Sequence, residues 1–179
     1  MNSVLRKRLE MPRFESCGPL LIAGLRDQFN SHSQTEIVRL WKRFAPRGGM
    51  VDARAYGVCL GCTGADTFDY LCGVQVTDNA AIPPDWARLR ITAYTYAVFQ
   101  HHGHVSSLRD TVKAVFEQWL PDSGHEVAET SPEEPDFLEC YGAEFDPESG
   151  MGGIELWIPI QSLRETGEPD NNKIDRKCP

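Results

Sequence analysis

The chain has 179 residues, 41% of them apolar and 25% charged, with 18 basic against 26 acidic side chains for a formal charge of −8. A chain of this size buries enough apolar surface to fold as one ordinary globular domain without disulfide staples. The acidic excess argues against a surface that grips a phosphate backbone, which needs clustered Lys and Arg, and the longest apolar run, Leu20-Leu21-Ile22-Ala23, is far too short to cross a bilayer. No apolar stretch follows Arg6-Lys7-Arg8, so the expectation is a cytoplasmic chain without a secretory leader, membrane contact or direct nucleic-acid binding.

Residues 1–9 read as a short lead. An apolar run over residues 19–25 predicts a strand. A helix follows, with Ile37, Val38, Leu40, Trp41 and Phe44 on one face, Glu36, Arg39 and Lys42 opposite, and a stop at Pro46 and Gly48-Gly49. Residues 56–62 form a second apolar run, and Phe68, Tyr70, Cys72, Val74 and Val76 alternate as strand residues do. Ala80 to Leu89, with Pro83-Pro84, links to a stretch over 90–99 that is rich in Thr, Tyr and β-branched residues. A second helix carries Leu108, Val112, Val115, Phe116 and Trp119 on one face. Ser107 and Asp110 resemble a capping box at its start, and Pro121 and Gly124 end it. Strands over 137–145 and 154–160 close the pattern, separated by a glycine-rich loop from Asp146 to Gly153. Residues 161–179 are polar and aperiodic and read as a mobile tail.

The element order is strand–helix–strand–strand, twice, over about residues 10–78 and 90–160. This is an α+β pattern in which each unit has one helix for one sheet face and needs a partner for the other. Packing the two units together supplies that partner, and a cleft between them is a usual place for a ligand.

Six cysteines stand at 17, 59, 62, 72, 140 and 178. In a leaderless chain they read as reduced thiols. Cys59-Leu60-Gly61-Cys62 has redox or half-zinc spacing, but it lies in a strand and has no second pair, so small packing residues are the expectation. His101, His102 and His104 cluster around Gly103 and read as a solvated turn. No metal and no cofactor is expected.

The second unit holds Tyr96-Ala97-Val98-Phe99-Gln100-His101-His102-Gly103, a helix ending Trp119-Leu120-Pro121-Asp122-Ser123-Gly124, then Phe137-Leu138-Glu139-Cys140-Tyr141 and Ile154-Glu155-Leu156-Trp157-Ile158-Pro159-Ile160. These segments, in this order, resemble the GyrI-like small-molecule-binding domain, also called the AraC-type effector-binding domain. The resemblance implies duplicated β-α-β-β units about a pseudo-two-fold axis, with antiparallel sheet, one helix per half and a ligand cleft between halves. It also implies binding of lipophilic, often cationic compounds, with Glu139 in the position of the family's pocket carboxylate. Some members sit behind a helix-turn-helix, for which this sequence has no room, so transcriptional control by this chain alone is not expected. Other free-standing members resemble the DNA gyrase inhibitor, and some branches hydrolyse toxic small molecules. Cys140, where an apolar residue is usual, and the tail depart from the pattern.

Alternation puts Phe137, Glu139, Tyr141, Ala143 and Phe145 on one strand face. A carboxylate between aromatic rings loses hydration if that face is buried, and an organic cation would restore the balance by charge attraction and cation–π contact. Tyr94 and Tyr96 share a strand face, Trp157 lies on the neighbouring segment beside Glu155, and Tyr56, Trp86 and Phe99 border the expected cleft. The expected ligand set is therefore Glu139, Tyr141, Phe137, Trp157, Tyr94, Tyr96, Phe99, Tyr56 and Trp86. Trp41, Phe116 and Trp119 fall at core spacing. The sequence lacks a nucleophile elbow, a phosphate loop and a paired metal motif, so no residue is given a catalytic role. Glu139 as a general acid in a hydrolase is the alternative. Nine acidic residues between Glu126 and Glu148, with no Lys or Arg, form an acidic stretch that could steer cations or meet a basic protein partner such as gyrase, or a homodimer mate.

Overall fold

The computed structural model describes residues 9–30, 32–44, 54–62, 66–128 and 131–162. The expected helix stop at Pro46 and Gly48-Gly49, and nearly all of the lead and tail, lie outside these residues.

The elements are β1 (Arg13–Cys17), β2 (Leu20–Asn30), α1 (Gln34–Phe44), β3 (Ala55–Leu60), β4 (Thr67–Gln75), β5 (Ala87–Ile91), β6 (Tyr94–His101), α2 (Leu108–Ala114), β7 (His125–Val127), β8 (Phe137–Tyr141) and β9 (Ile154–Ser162). The strands form one sheet in the order β1-β6-β9-β8-β3-β4-β2-β5, with β7 beside β9, and every pairing is antiparallel. The β3–β8 pair is the seam between β2, β3, β4 and β5 on one side and β1, β6, β7, β8 and β9 on the other. The stretch over 90–99 is two strands, broken at Thr92-Ala93, and part of the expected link is strand β5, which pairs with β2.

The edge strands tie the sheet into a curl. β5 ends at Ile91 and β6 starts at Tyr94, yet they occupy opposite regions of the strand order. Three Cα–Cα steps reach about 11 Å at most, so the end of β5, at one edge of the sheet, and the start of β6, beside the other edge, must come that close. The helix-free face lies inside this curl and buries Ile22, Val58, Leu71, Ile91, Tyr96, Val98, Leu138 and Trp157 in one cluster. The other face buries Leu25, Tyr70, Cys72, Val74, Phe99, Phe137 and Leu156 beneath both helices, through Leu40 and Phe44 of α1 and Val112 of α2 together with Val115 and Phe116 beyond it. Val38 is the exception on α1: at 52% exposure it points away from the sheet.

Beyond α2 the chain continues as a π turn, Val115–Trp119, and a last helical turn through Pro121 to Asp122, which Gly124 ends at φ +72°. The expected Ser107 capping box does not form. A 3₁₀ turn, Val105–Ser107, comes first, and its cap is His104, whose Nδ1 accepts from the Ser106 N–H at 3.1 Å. The Ser107 hydroxyl donates instead to the His104 carbonyl at 2.8 Å. His101 is the last residue of β6 rather than part of a solvated turn. It is buried, with Nδ1 2.8 Å from the Thr111 hydroxyl.

Cys59 and Cys62 depart from the expectation of reduced thiols, because they form a disulfide across the turn at Leu60-Gly61. Gly61, at φ +69°, takes the left-handed conformation that folds the turn back so the two sulfurs meet. Of the acidic stretch, Glu133, Glu144, Asp146 and Glu148 are exposed, and two of its members also fix loops. Asp146 accepts from the Glu148 and Ser149 N–H groups at 3.0 and 3.2 Å, and Glu134 accepts from the Thr92 and Ser131 N–H groups at 3.2 and 3.3 Å. Among the described residues, no helix is long and apolar enough to cross a membrane.

Candidate functional site

β8 runs through the middle of the sheet with Phe137, Glu139 and Tyr141 on the helix-covered face and Leu138 and Cys140 on the other. Strand pairing places Glu139 opposite Gly57 of β3 and Leu156 of β9, and Leu156 opposite Phe99 of β6. The carboxylate therefore sits at the seam.

Its surroundings are aromatic. The Tyr70 hydroxyl donates to Glu139 Oε2 at 2.5 Å and the Tyr141 hydroxyl donates to the same oxygen at 2.9 Å. Trp41 Nε1–H, from α1, donates in turn to the Tyr70 hydroxyl at 3.1 Å. The Trp41 ring meets Tyr141 edge-on at 5.1 Å between centroids, and Tyr141 meets Phe145 at 4.9 Å. Gly57 makes the arrangement possible: a Cβ there would overlap both the Tyr70 hydroxyl and Glu139 Oε2. Burial pushes the Glu139 carboxyl up, and the two phenol bonds, which favour the ionised form, oppose that only in part. Burial first, and then the facing Glu139 charge, hold both Tyr70 and Tyr141 well above the usual phenol range, so they remain donors at neutral pH.

Of the other residues singled out in the sequence, Trp86 and Phe99 are on this face as well. Trp86 packs against Phe44 of α1 at 5.0 Å, and Phe99 packs against Trp119 at 5.0 Å. Phe137 packs against Phe116 at 6.2 Å. Four residues are not brought together with Glu139. Tyr56, Tyr94, Tyr96 and Trp157 have the opposite parity in their strands and belong to the cluster inside the curl. Tyr96 and Trp157 meet edge-on at 5.4 Å, and the Tyr94 hydroxyl donates to Glu134 at 2.5 Å. Trp157 has the Arg13 guanidinium 5.9 Å from its ring, and its indole donates to Glu155, which also pairs with Arg13.

Tyr70, Trp41 and Gly57, which the sequence pattern does not bring to Glu139, stand around it in the fold, and Trp41 also packs against the core as its spacing predicts. Gly57, alone in the apolar run Tyr56-Gly57-Val58-Cys59-Leu60, was the available signal, because an isolated glycine in a strand marks a close approach. A cavity of about 350 Å³ opens elsewhere, among Arg54, Gln100, Glu144 and Glu155 at the ends of β3, β6, β8 and β9.

One antiparallel sheet with helices packed over a single face is an α+β fold, and the carboxylate framed by phenols sits on its helix-covered side. The model of the GyrI-like small molecule binding domain matches residues 10–161, and the chain belongs to that family. The transcriptional regulator BrlR of Pseudomonas aeruginosa is 28% identical over 143 residues, which cover 75% of this chain and 50% of BrlR, so the chain spans half the length of that relative. Among solved structures, SAV2435 bound to tetraphenylphosphonium is similar with a TM-score of 0.61 at 18% identity, covering 85% of this chain and 94% of that one. The carboxy-terminal domain of EcmrR gives a TM-score of 0.60 at 15% identity, with 84% and 97% covered. These structures share the fold of this chain.

Proposed function

We propose that this domain captures lipophilic organic cations at Glu139, with the carboxylate as counter-ion and Trp41, Tyr141, Phe137 and Trp86 as walls. One observation carries the reading: a half-buried carboxylate at the sheet seam takes both of its hydrogen bonds from neutral phenols. Such donors orient the charge without neutralising it, and a desolvated anion attracts a cation more strongly than one in water. The binding of tetraphenylphosphonium by SAV2435, a protein of the same fold, supports this ligand class. Duplication is proposed as the origin of the seam. In its support, the strand order reads the same from either end once β1 is matched to β5, β6 to β2, β9 to β4 and β8 to β3.

The test is thermal unfolding with tetraphenylphosphonium against its neutral analogue triphenylphosphine oxide. At one hundred times the dissociation constant the cation adds about 2.7 kcal/mol of stability to the wild type. Glu139→Gln keeps the shape and removes the charge. Equal stabilisation of wild type and variant by the cation would overturn the reading. Recovery of the cation unchanged after long incubation separates capture from turnover.

A further inference from the structure

Cys59, one residue before the end of β3, lies on the same face as Glu139, opposite Tyr70 of β4 and Phe137 of β8. Its disulfide to Cys62 closes a turn that also holds the start of β8. The Asp136 N–H donates to the Cys59 carbonyl at 2.9 Å, and the Cys62 N–H donates to the Asp136 carboxylate. Disulfide, Asp136 and Phe137 are thus joined, and Glu139 follows three residues after Asp136, within β8.

We propose that Cys59 and Cys62 form a thiol–disulfide exchange site whose oxidation state sets the affinity of the Glu139 site, the second half resting on the cation-capture reading. Cys59 is buried at 4% exposure, while Cys62 is half-buried, so the reachable sulfur is that of Cys62. A dithiol reductant attacks Cys62 Sγ as its thiolate. The Cys59–Cys62 bond breaks, and Cys59 leaves as a thiolate that takes up a proton. The second thiol of the reductant then attacks the mixed disulfide, which frees the Cys62 thiol and releases the reductant as its own disulfide. Once the bond is open, the turn loses its covalent closure and the hold of Cys62 on Asp136 slackens. β8 is then anchored less firmly at Phe137. The oxidised form is the preorganised and tighter binder.

The test uses the full chain, oxidised with glutathione disulfide or reduced with dithiothreitol and then freed of reagent without air. The oxidised form should show two fewer titratable thiols per chain after denaturation. Reduction should speed hydrogen exchange at the Asp136 N–H and weaken tetraphenylphosphonium binding by about fivefold, through lost preorganisation. Cys62→Ser should bind like the reduced wild type after either treatment, and Cys59→Ser is the second variant should that one fail to fold. Equal affinities of two forms that differ by two thiols would overturn the coupling, and equal thiol counts would overturn the exchange site. If neither form takes up the cation, the cation-capture reading fails. The Asp136 exchange rate then decides: a difference between the forms sustains a redox-set β8, and identical rates overturn it.

Discussion

Gly57 lies directly across the β3–β8 ladder from Glu139, and the Glu139 carboxylate and Tyr70 hydroxyl occupy the space a side chain at Gly57 would need. Both of those atoms are held. The Tyr70 oxygen is bonded to Glu139 and to Trp41 Nε1, and Glu139 is bonded to Tyr70 and Tyr141. Neither can give way without breaking one of these hydrogen bonds. Gly57→Ala should therefore destabilise the fold by about 1–3 kcal/mol, the ordinary cost of overpacking, and should lower cation affinity more than tenfold in titration calorimetry. A variant that melts and binds like wild type would mean that the seam is looser than this geometry describes.

Glu139 links stability to pH with a definite sign. Its carboxyl is pushed above the ordinary 4.5 in the folded chain, with burial as the first cause. Between 4.5 and the raised folded value, the native state keeps a proton that the unfolded state has lost. Stability from this group therefore falls as pH rises through that window, and it is constant below the window. Cation binding runs the other way, rising through the same window as the counter-ion ionises. Urea unfolding should show wild type losing ground to Glu139→Gln as pH climbs from 4.5 toward neutrality. Parallel stability curves would remove the burial effect.

What could be read from the chain was local. The spacing of Ile37, Leu40, Trp41 and Phe44 fixed the buried side of α1, and Glu139 stood out because Phe137 and Tyr141 flank it at strand spacing. Period-two alternation tells which residues of one strand share a face, but not which faces of two distant strands meet. For this reason the sequence pattern groups Tyr94, Tyr96 and Trp157 with Glu139 although their parity puts them inside the curl, and leaves out Tyr70 although it is bonded to the carboxylate. That partnership depends on β3 lying between β4 and β8, a pairing that joins residues 69 positions apart. The sequence pattern divides β5 between the link and the stretch over 90–99, because only Leu89 and Ile91 alternate with Arg88 and Arg90, too short a pattern beside two prolines. The disulfide was hidden by the fact that Cys62 lies beyond the strand end, where the turn at Gly61, not the strand, sets its position.

Tyr70→Phe separates the two tasks of the hydroxyl. The change removes one donor from Glu139 and leaves Trp41 Nε1–H without that acceptor. A buried polar group deprived of its partner costs about 1–3 kcal/mol, so the melting temperature should drop. The phenol bond holds the carboxyl pKa down, so its loss should move the pH onset of cation binding upward. Tyr141→Phe should shift that onset in the same direction without disturbing Trp41. An unchanged onset in both variants would show that the phenols do not hold the ionised form.

The two faces of the sheet make opposite predictions for tyrosines of similar burial. Tyr96 is 1% exposed inside the curl, and its hydroxyl makes no hydrogen bond among the described residues. Tyr96→Phe removes a polar atom without depriving a partner, so stability should hold or rise by up to about 1 kcal/mol. Cation affinity should stay within error, since the backbone of the sheet separates Tyr96 from Glu139. Trp41→Phe, on the helix-covered side, removes the indole donor to Tyr70 and part of the wall, and should weaken the cation several-fold in the same titration. If Tyr96→Phe were the one to lose binding, the ligand would lie inside the curl and Glu139 would not be its counter-ion.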